Sequence, residues 1–152
     1  MDKRNYSKER LDKLKILLTA LYDTGYERIN LQLFMYVVFI IEHYLDKKPT
    51  EPRVFGYNFY VHKTYGVFTL EVLIDLERIG VLHKEEVIVR PFHHLVKKYE
   101  NLYNKFKSTV KEYVIPYEDD PDELRLYILE CILRIHPGQT LFYQYVPVRS
   151  LI

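Results

Sequence analysis

The six histidines are the first residues to test for metal or acid–base chemistry. His93 and His94 are adjacent, which on a helix separates their side chains by about 100° and makes a poor pair for one metal ion. His43 follows Glu42, but no second histidine stands four residues further on, so the zinc-protease spacing is missing. The other three stand alone, at His62, His83 and His136. The pattern predicts structural or solvated histidines and no metal site.

The sequence also lacks the contexts that activate a nucleophile or hold a phosphate. None of the three serines is in a nucleophile elbow, and the five glycines are isolated, which excludes a glycine-rich phosphate loop. Cys131 lies among apolar residues of a predicted helix, and this position indicates a buried structural thiol. We therefore expect a protein that is not an enzyme, uses no cofactor and has no evident small-molecule substrate.

An acidic run at residues 118–123 is the remaining place for a hard cation, and a metal-dependent nuclease is the weaker functional alternative that it offers. The same residues are also typical of a helix start. Asp120 is placed as the N-cap, Pro121 as the first helical residue and Glu123 as the capping-box partner. We prefer this second interpretation, which requires no metal.

Length and charge limit the class of protein. The chain has 152 residues, 48% of them hydrophobic, which is enough for one core without metals or disulfides. The 22 basic and 21 acidic residues give a net charge of +1, so binding of polyanions through bulk charge is excluded and only local patches remain.

Cysteine content and hydropathy bear on location. A single cysteine excludes an internal disulfide framework and is typical of a reducing compartment, and scarce Cys and Met are a feature of thermophile proteins. The uncharged run of 13 residues from 29 to 41 is shorter than the ~20 that span a bilayer. No signal peptide is evident. We expect a cytoplasmic protein with no membrane partner.

Hydrophobic periodicity predicts two helices in the first third of the chain. An amphipathic helix is expected from Ser7, its N-cap, to about Gly25. Asn30 then caps a second helix, and because residues 31–41 are apolar almost without interruption, this helix should be central. It is expected to end at residues 47–49, before a proline-containing loop.

The middle of the chain has the element order of a winged helix. Residues 55–61 predict a short strand and residues 65–68 a turn. Thr69 should cap a helix that Gly80 closes, with four residues facing inward: Leu70, Leu73, Leu76 and Ile79. Residues 81–89 then predict two short strands joined at 84–86, a candidate wing. The fold class is α+β and mostly helical, with a winged-helix-like core and a small β-hairpin, followed by two C-terminal helices.

The second half predicts those two helices and a tail. An apolar stripe from Phe92 to Tyr113 extends over about six turns, and the next helix should extend from Asp120 to His136. Residues 140–146 alternate like a strand. We divide the chain into a flexible N-terminus (1–8), a winged-helix-like domain (9–90), a C-terminal helical hairpin (91–137) on the core or at a dimer interface, and an extended tail (138–152).

The last helix is apolar on two sides, and this pattern predicts self-association. In a chain of this size a second copy is a natural cover for a second apolar face. The sequence therefore predicts a homodimer whose interface contains Leu126, Leu129 and Leu133.

Aromatic residues crowd the predicted strand and turn, beside His62 and Lys63. They could form a base-stacking platform, but ordinary burial is the interpretation that we prefer. The group comprises Tyr57, Phe59, Tyr60, Tyr65 and Phe68.

The segment from Phe55 to Leu82 resembles a known family. It reads Phe-Gly-Tyr-Asn-Phe-Tyr-Val-His-Lys-Thr-Tyr-Gly-Val-Phe-Thr-Leu, followed by a helix that ends in Ile79-Gly80-Val81-Leu82. This resembles the Panacea-like, phage-associated antitoxin domains and their uncharacterised archaeal relatives, and the resemblance covers residues 10–90. It implies a winged-helix-like α+β fold and a regulatory role in toxin–antitoxin or antiviral contexts. Two positions depart from the family pattern, Val67 for its proline and Thr69 for its serine.

Charge on the predicted recognition helix argues against conventional DNA reading. Its outward residues would be Glu71, Asp75, Glu77 and Arg78, which sum to −2, whereas a helix in the major groove normally carries Arg, Lys, Asn or Gln. The leading prediction is therefore a non-enzymatic regulatory interaction module that acts by protein–protein contact, with a partner or with itself.

The alternative is a DNA-binding transcriptional regulator that grips the duplex backbone through basic helices. The residues that would contact double-stranded DNA are Lys8, Arg10, Lys13, Lys15, Lys84, Lys97, Lys98 and Lys105.

Overall fold

The computed structural model describes residues 3–44, 54–135 and 145–151, and the side chains of 8–44 within the first range. The fold is α+β and 59% helical, which confirms the prediction of a mostly helical α+β chain. Within the described residues there are five α-helices and two small antiparallel sheets of three strands each. No helix in this part of the chain has the length and hydropathy to cross a membrane.

The first two helices form the centre of the core. α1 (Lys3–Asp23) begins earlier than predicted, so Ser7 lies inside the helix and residues 3–8 are helical. α2 (Leu31–His43) begins as predicted, because the Asn30 side chain accepts a hydrogen bond from the Leu33 N–H at 3.1 Å. Every residue from 33 to 43 is buried, which confirms that α2 is central. The helix ends at His43, with Tyr44 as its C-cap, so the predicted end at residues 47–49 is wrong.

The first sheet has the strand order β1-β5-β4. β1 (Arg28–Asn30) pairs with β5 (Glu86–Ile88), and β5 pairs with β4 (Leu82–His83). The predicted hairpin is present, but it turns at residues 84 and 85 rather than at 84–86, because Glu86 belongs to β5; Lys84 is in the left-handed region at φ 57°. This sheet holds the start of α2, since the Leu31 N–H donates to the Glu85 carbonyl at 2.8 Å.

The second sheet has the order β3-β2-β6, with β2 (Tyr60–His62), β3 (Gly66–Phe68) and β6 (Val146–Pro147). Residues 65–68, predicted as a turn, therefore supply a strand, and the turn lies between β2 and β3. Gly66 starts β3 at φ +85°, where an added Cβ would lie 2.9 Å from the Arg125 Cγ and 3.0 Å from the Tyr36 hydroxyl. Only glycine fits this position.

The strand predicted at residues 55–61 begins only at Tyr60, and a buried carboxylate explains the difference. Glu42 on α2 accepts hydrogen bonds from the backbone N–H groups of Val54, Phe55 and Tyr57 at 2.8–2.9 Å. These N–H groups are therefore bound to a side chain rather than to a neighbouring strand.

α3 (Leu70–Ile79) has the predicted caps. Thr69 accepts a hydrogen bond from the Glu71 N–H, and Gly80 closes the helix in the left-handed region at φ 82°. Its inner face differs from the prediction, because Val72, Asp75 and Leu76 are buried. Leu70, expected to face inward, is 65% exposed, and Asp75, expected to face outward, is fully buried.

The C-terminal half is more broken than the apolar stripe predicts. Instead of one helix from Phe92, a 3-10 turn at His93–Leu95 precedes α4 (Glu100–Tyr113), which packs along α1. A second 3-10 turn (Ile115–Tyr117) leads to α5 (Pro121–Tyr127). The predicted cap residue Asp120 flanks α5 but makes no side-chain capping bond.

α5 continues as a π-helical turn at Ile128–Ile132, and this turn corrects two predictions. The wider turn rotates each residue by a smaller angle than an α-helix does, so later side chains lag behind their α-helical positions. As a result Cys131, predicted to be buried, is exposed, whereas Leu129 and Leu133 are 5% and 8% exposed in the core. The helix predicted to reach His136 ends at Ile132, since residues 133–135 are not helical. Most of the predicted tail strand lies outside the described residues.

Candidate functional site

The predicted aromatic group is divided between the core and the surface. Tyr57 and Phe59 are buried, which confirms ordinary burial for these two residues. Tyr60 is 43% exposed and Tyr65 is 63% exposed, while Phe68 is half-buried. The five rings therefore do not form a single surface, and only Tyr60, Tyr65 and part of Phe68 face solvent.

A distant residue, Tyr145, completes the exposed group. β6 pairs with β2 in the register Val61↔Val146, and this places the Tyr145 ring centroid 5.4 Å from that of His62 and 5.8 Å from that of Phe68. The Tyr65 ring centroid lies 4.6 Å from that of His62. Sequence analysis missed Tyr145 because a partner more than 70 residues away is set by strand pairing, which local periodicity does not reveal.

α3 extends this apolar surface. Leu70 and Ile74 are one helical turn apart on its outer side and are 65% and 48% exposed. We call the surface made by Tyr60, Phe68, Leu70, Ile74 and Tyr145 the α3 surface. A groove of about 380 Å³ lies in it, and Glu71 is the charged residue among the described residues that line this groove.

A second depression lies on the other side of Phe68 and Tyr145, against the start of α2. This α2 pocket has a volume of about 310 Å³, and its described lining includes Gln32, Met35, Tyr36, Tyr65 and Glu85. The Tyr36 hydroxyl donates to the Tyr65 carbonyl at 3.0 Å and is 2.5 Å from the Gln32 amide nitrogen. These bonds fix the β2–β3 turn against α2.

A buried ion pair fixes α3 against α1. The Arg10 guanidinium donates to both carboxylate oxygens of Asp75, at 2.8 and 3.2 Å, and to Glu71 at 3.1 Å. The Tyr57 hydroxyl also donates to Asp75, at 2.6 Å. Because of these donors, a carboxylate can stay buried on the inner face of α3.

The protonation states of this cluster follow from its contacts. Burial and the hydrogen bond to Asp75 raise the pKa of Tyr57, so this residue stays a neutral donor. Desolvation by itself would lower the pKa of Arg10, but the hydrogen bond to Asp75 and the charges of its neighbours raise it overall. The cluster is a structural anchor and has no exposed proton donor or nucleophile.

Two of the predicted DNA contacts are bound to other groups of the protein. Arg10, expected to reach phosphates, is the partner of Asp75. Lys13 donates to the Val54 carbonyl at 2.9 Å. A third, Lys15, lies over the Phe92 ring, with its ammonium nitrogen 5.5 Å from the ring centroid.

The other predicted contacts lie on the surface at several elements. Lys84 is in the β4–β5 turn, and the rest lie on α1, on α4 or just before α4. The exposed set is Lys8, Lys84, Lys97, Lys98 and Lys105.

The predicted dimer interface is corrected by the burial of its members. Leu129 and Leu133 pack in the core of the same chain, so they offer no second apolar face. Leu126 is 45% exposed and is the one predicted interface residue at the surface. The two-sided pattern arises from the π-helical turn rather than from two exposed faces.

A polar cluster at the α1–α4 contact involves one of the histidines. His93 Nε2 lies 2.8 Å from Asp23, and Tyr103 donates a hydrogen bond to the same carboxylate. That bond raises the pKa of Tyr103 to about 12. Within the described ranges no group of three or more His, Cys, Asp and Glu side chains is arranged to hold a metal ion.

We compared the chain with known protein families, curated proteins and solved structures. No family model, curated protein or solved structure matches the chain. The antitoxin-like resemblance of residues 10–90 stays a prediction.

Proposed function

We propose that this chain is a non-enzymatic regulatory module that acts by protein–protein contact through its α3 surface. The observation that carries the proposal is the exposed side chain of Leu70, which lines the α3 groove with Tyr60 and Tyr145, together with exposed Ile74 one turn further along α3. Contiguous exposed apolar side chains mark interaction sites more often than isolated ones. An antitoxin-like regulatory role, as the resemblance implies, agrees with such a surface.

The topology of the first sheet supports a winged-helix-like core. The elements α1, β1, α2 and α3 precede the β4–β5 hairpin, and β1 pairs with β5 at the edge of that hairpin. β2 and β3 stand as an insertion between α2 and α3. In this arrangement α3 occupies the place of the recognition helix.

The outer side of α3 favours a protein over DNA. It carries Leu70, Ile74 and Glu77, and its one cation, Arg78, lies 3.8 Å from Asp75. A helix that enters the major groove needs donors for base edges and positive charge for phosphates. Aliphatic side chains beside the exposed carboxylate of Glu77 suit an apolar, basic protein segment.

We infer that the occupant is a different protein rather than a second copy. Glu71 in the α3 groove accepts a hydrogen bond from Arg10, which offsets its charge, so Glu85 in the adjoining α2 pocket is the carboxylate that would meet its own copy. A symmetric dimer through this surface would bring like charges together, at a cost to its stability. The complementary partner is a segment that combines lysine or arginine with aliphatic or aromatic side chains.

Selection from a random peptide library tests this function. We expect the folded protein to enrich peptides of about 12 residues in which basic side chains alternate with aliphatic or aromatic ones. Enrichment of acidic peptides, or no enrichment at all, would contradict the proposal. Light scattering on the free protein is the companion measurement, and a stable dimer that Ile74→Glu dissolves would show that the occupant is a second copy.

A DNA-binding transcriptional regulator is the second candidate. The observation that favours it is the packing of α1 along α4, because the lysines at Lys8, Lys97, Lys98 and Lys105 belong to these two neighbouring helices or to the turn that leads into α4. They could contact a duplex backbone without reading bases.

A further inference from the structure

The α2 pocket has a different chemistry from the α3 groove because aromatic rings surround it. The rings of Tyr65, Phe68 and Tyr145 line it together with the buried ring of Tyr36. The planes of Phe68 and Tyr145 are inclined at 48° to each other, with their centroids 5.8 Å apart.

The electrostatics of this pocket favour a cation. The face of an aromatic ring carries the negative part of its quadrupole and attracts ammonium groups. Glu85 is the one charged residue among the described residues of the lining, and no lysine or arginine is among them. A cation would find aromatic rings and a carboxylate in this lining. Arg125, which is not in the lining, interacts with Tyr36, but its guanidinium is already bonded to the Thr64 carbonyl and to Asp122.

The size and polar groups of the pocket also suit a small head group. Its volume of about 310 Å³ is at the lower end of the range for small-ligand sites. The Tyr36 hydroxyl is already bonded to Tyr65 and Gln32, so recognition would depend on the rings and the carboxylate rather than on this hydroxyl. Alkylammonium groups are the ligands that such aromatic cages bind.

We propose that the α2 pocket binds an alkylammonium cation, presented as a lysine side chain by the basic segment of the partner protein. The pocket adjoins the α3 groove through their shared residues Phe68 and Tyr145, so one extended segment can occupy both. The inference rests on the proposed function for the source of the cation. The selectivity of the pocket for a cation can be measured independently.

Methyl NMR gives a direct reporter inside the pocket. The chain has two methionines, Met1 and Met35, and Met35 lines the pocket, so ¹³C-methyl-methionine labelling gives one signal at the site and one at the N-terminus. Choline is the first probe, and its neutral isostere 3,3-dimethylbutan-1-ol is the control. We expect choline to shift the Met35 signal in a saturable way, with the neutral isostere binding about fivefold more weakly.

Matched variants locate the effect. Tyr145→Leu and Glu85→Gln should each weaken choline binding, whereas Tyr22→Leu should not, because Tyr22 is 45% exposed like Tyr145 but lies on α1. Equal binding of choline and its isostere would show an apolar pocket and overturn the inference. A Met35 signal that choline does not shift would overturn it too.

The source of the cation is tested with a selected peptide and the same peptide with norleucine in place of lysine. We expect the norleucine peptide to bind about fivefold more weakly and to leave the Met35 signal unshifted. If the norleucine peptide binds equally well while choline still shifts Met35, the pocket binds a free cation and the lysine assignment is wrong. If no peptide is selected at all, the proposed function fails, and the choline result still decides the chemistry of the pocket.

Discussion

Asp75 is the residue whose placement differs most from what sequence pattern indicates. On α3 it stands where an outward acidic residue is expected, yet it is fully buried. A buried carboxylate is costly unless its oxygens are bonded, and here the Arg10 guanidinium and the Tyr57 hydroxyl supply those bonds. Because Asp75 fills the inner face, Leu70 and Ile74 are left on the outer face, so this ion pair determines the character of the α3 surface.

Removal of Arg10 tests this role at the level of one residue. Arg10→Met leaves the Asp75 carboxylate buried without its main partner, and we expect the free energy of unfolding to fall by about 3 kcal/mol. The measurement is urea denaturation at neutral pH. The second change Asp75→Asn in the same chain should recover part of the loss, because it removes the unpaired charge.

Arg28→Met is the matched control for Arg10→Met. Arg28 pairs with Glu86 at 3.5 Å, but its side chain is 68% exposed, so its removal should change stability by no more than about 0.5 kcal/mol. Equal losses in the two variants would show that the Arg10–Asp75 pair has no special role.

At the level of elements, α1 and α4 are the basis of the DNA alternative. They pack together, and their exposed lysines would bind the phosphates of a DNA duplex independently of its sequence. However, Arg10 and Lys13, which the sequence assigns to these phosphate contacts, are bound to Asp75 and Val54. The remaining positive charge is smaller than the sequence indicates.

Fluorescence anisotropy with a labelled random duplex of about 25 base pairs tests these helices. Because Arg10 and Lys13 are bound to other groups of the protein, fewer cations can contact phosphates. We therefore expect weak DNA binding at about 50 mM salt that is lost by about 200 mM. The double variant Lys97→Glu, Lys98→Glu should abolish what binding there is. Tight binding that persists at the higher salt concentration, and is lost in this variant, would favour the DNA-binding regulator over the protein-contact module.

Local signals were enough to predict most elements but not their relative positions. The Asn30 and Thr69 caps, the Gly80 terminus and the β4–β5 hairpin depend on neighbouring residues, and the structure confirms all four. The π-helical turn after α5 was missed. Apolar residues on two sides of a helix arise either when a second face is exposed or when a wider turn rotates later residues, and the sequence pattern is the same in both cases. As a result, Leu129 and Leu133 were wrongly assigned to a dimer interface.

For the candidate site, sequence supplied the residues but not the surface. The aromatic group of the second sheet was visible as a composition bias, and Tyr60 and Tyr65 were among its members. Two contacts determine which rings reach solvent. Glu42 accepts hydrogen bonds from the backbone N–H groups of Val54 and Tyr57, and β6 pairs with β2. Both are contacts between distant residues, so one sequence without relatives does not show them.

The molecule as a whole is an α+β fold in which α3 has an apolar outer face, and the winged-helix-like core that we propose would make α3 its recognition helix. We infer that this face contacts protein. The α2 pocket beside it adds a binding place for a cation, so that the α3 groove and the α2 pocket together would bind an apolar and basic segment. This description accounts for an outer side of α3 that exposes Leu70, Ile74 and Glu77, which is unfavourable for DNA and favourable for such a partner.

The most direct test of this central claim is the affinity of a selected basic peptide for two variants. Ile74→Glu places a charge in the α3 surface, and Leu126→Glu places the same charge at a residue of similar exposure, 45% against 48%, on α5. We expect Ile74→Glu to weaken binding about tenfold and Leu126→Glu to leave it within about twofold. Equal affinities for the wild type and Ile74→Glu, in two folded proteins, would contradict the assignment of the α3 surface as the contact site.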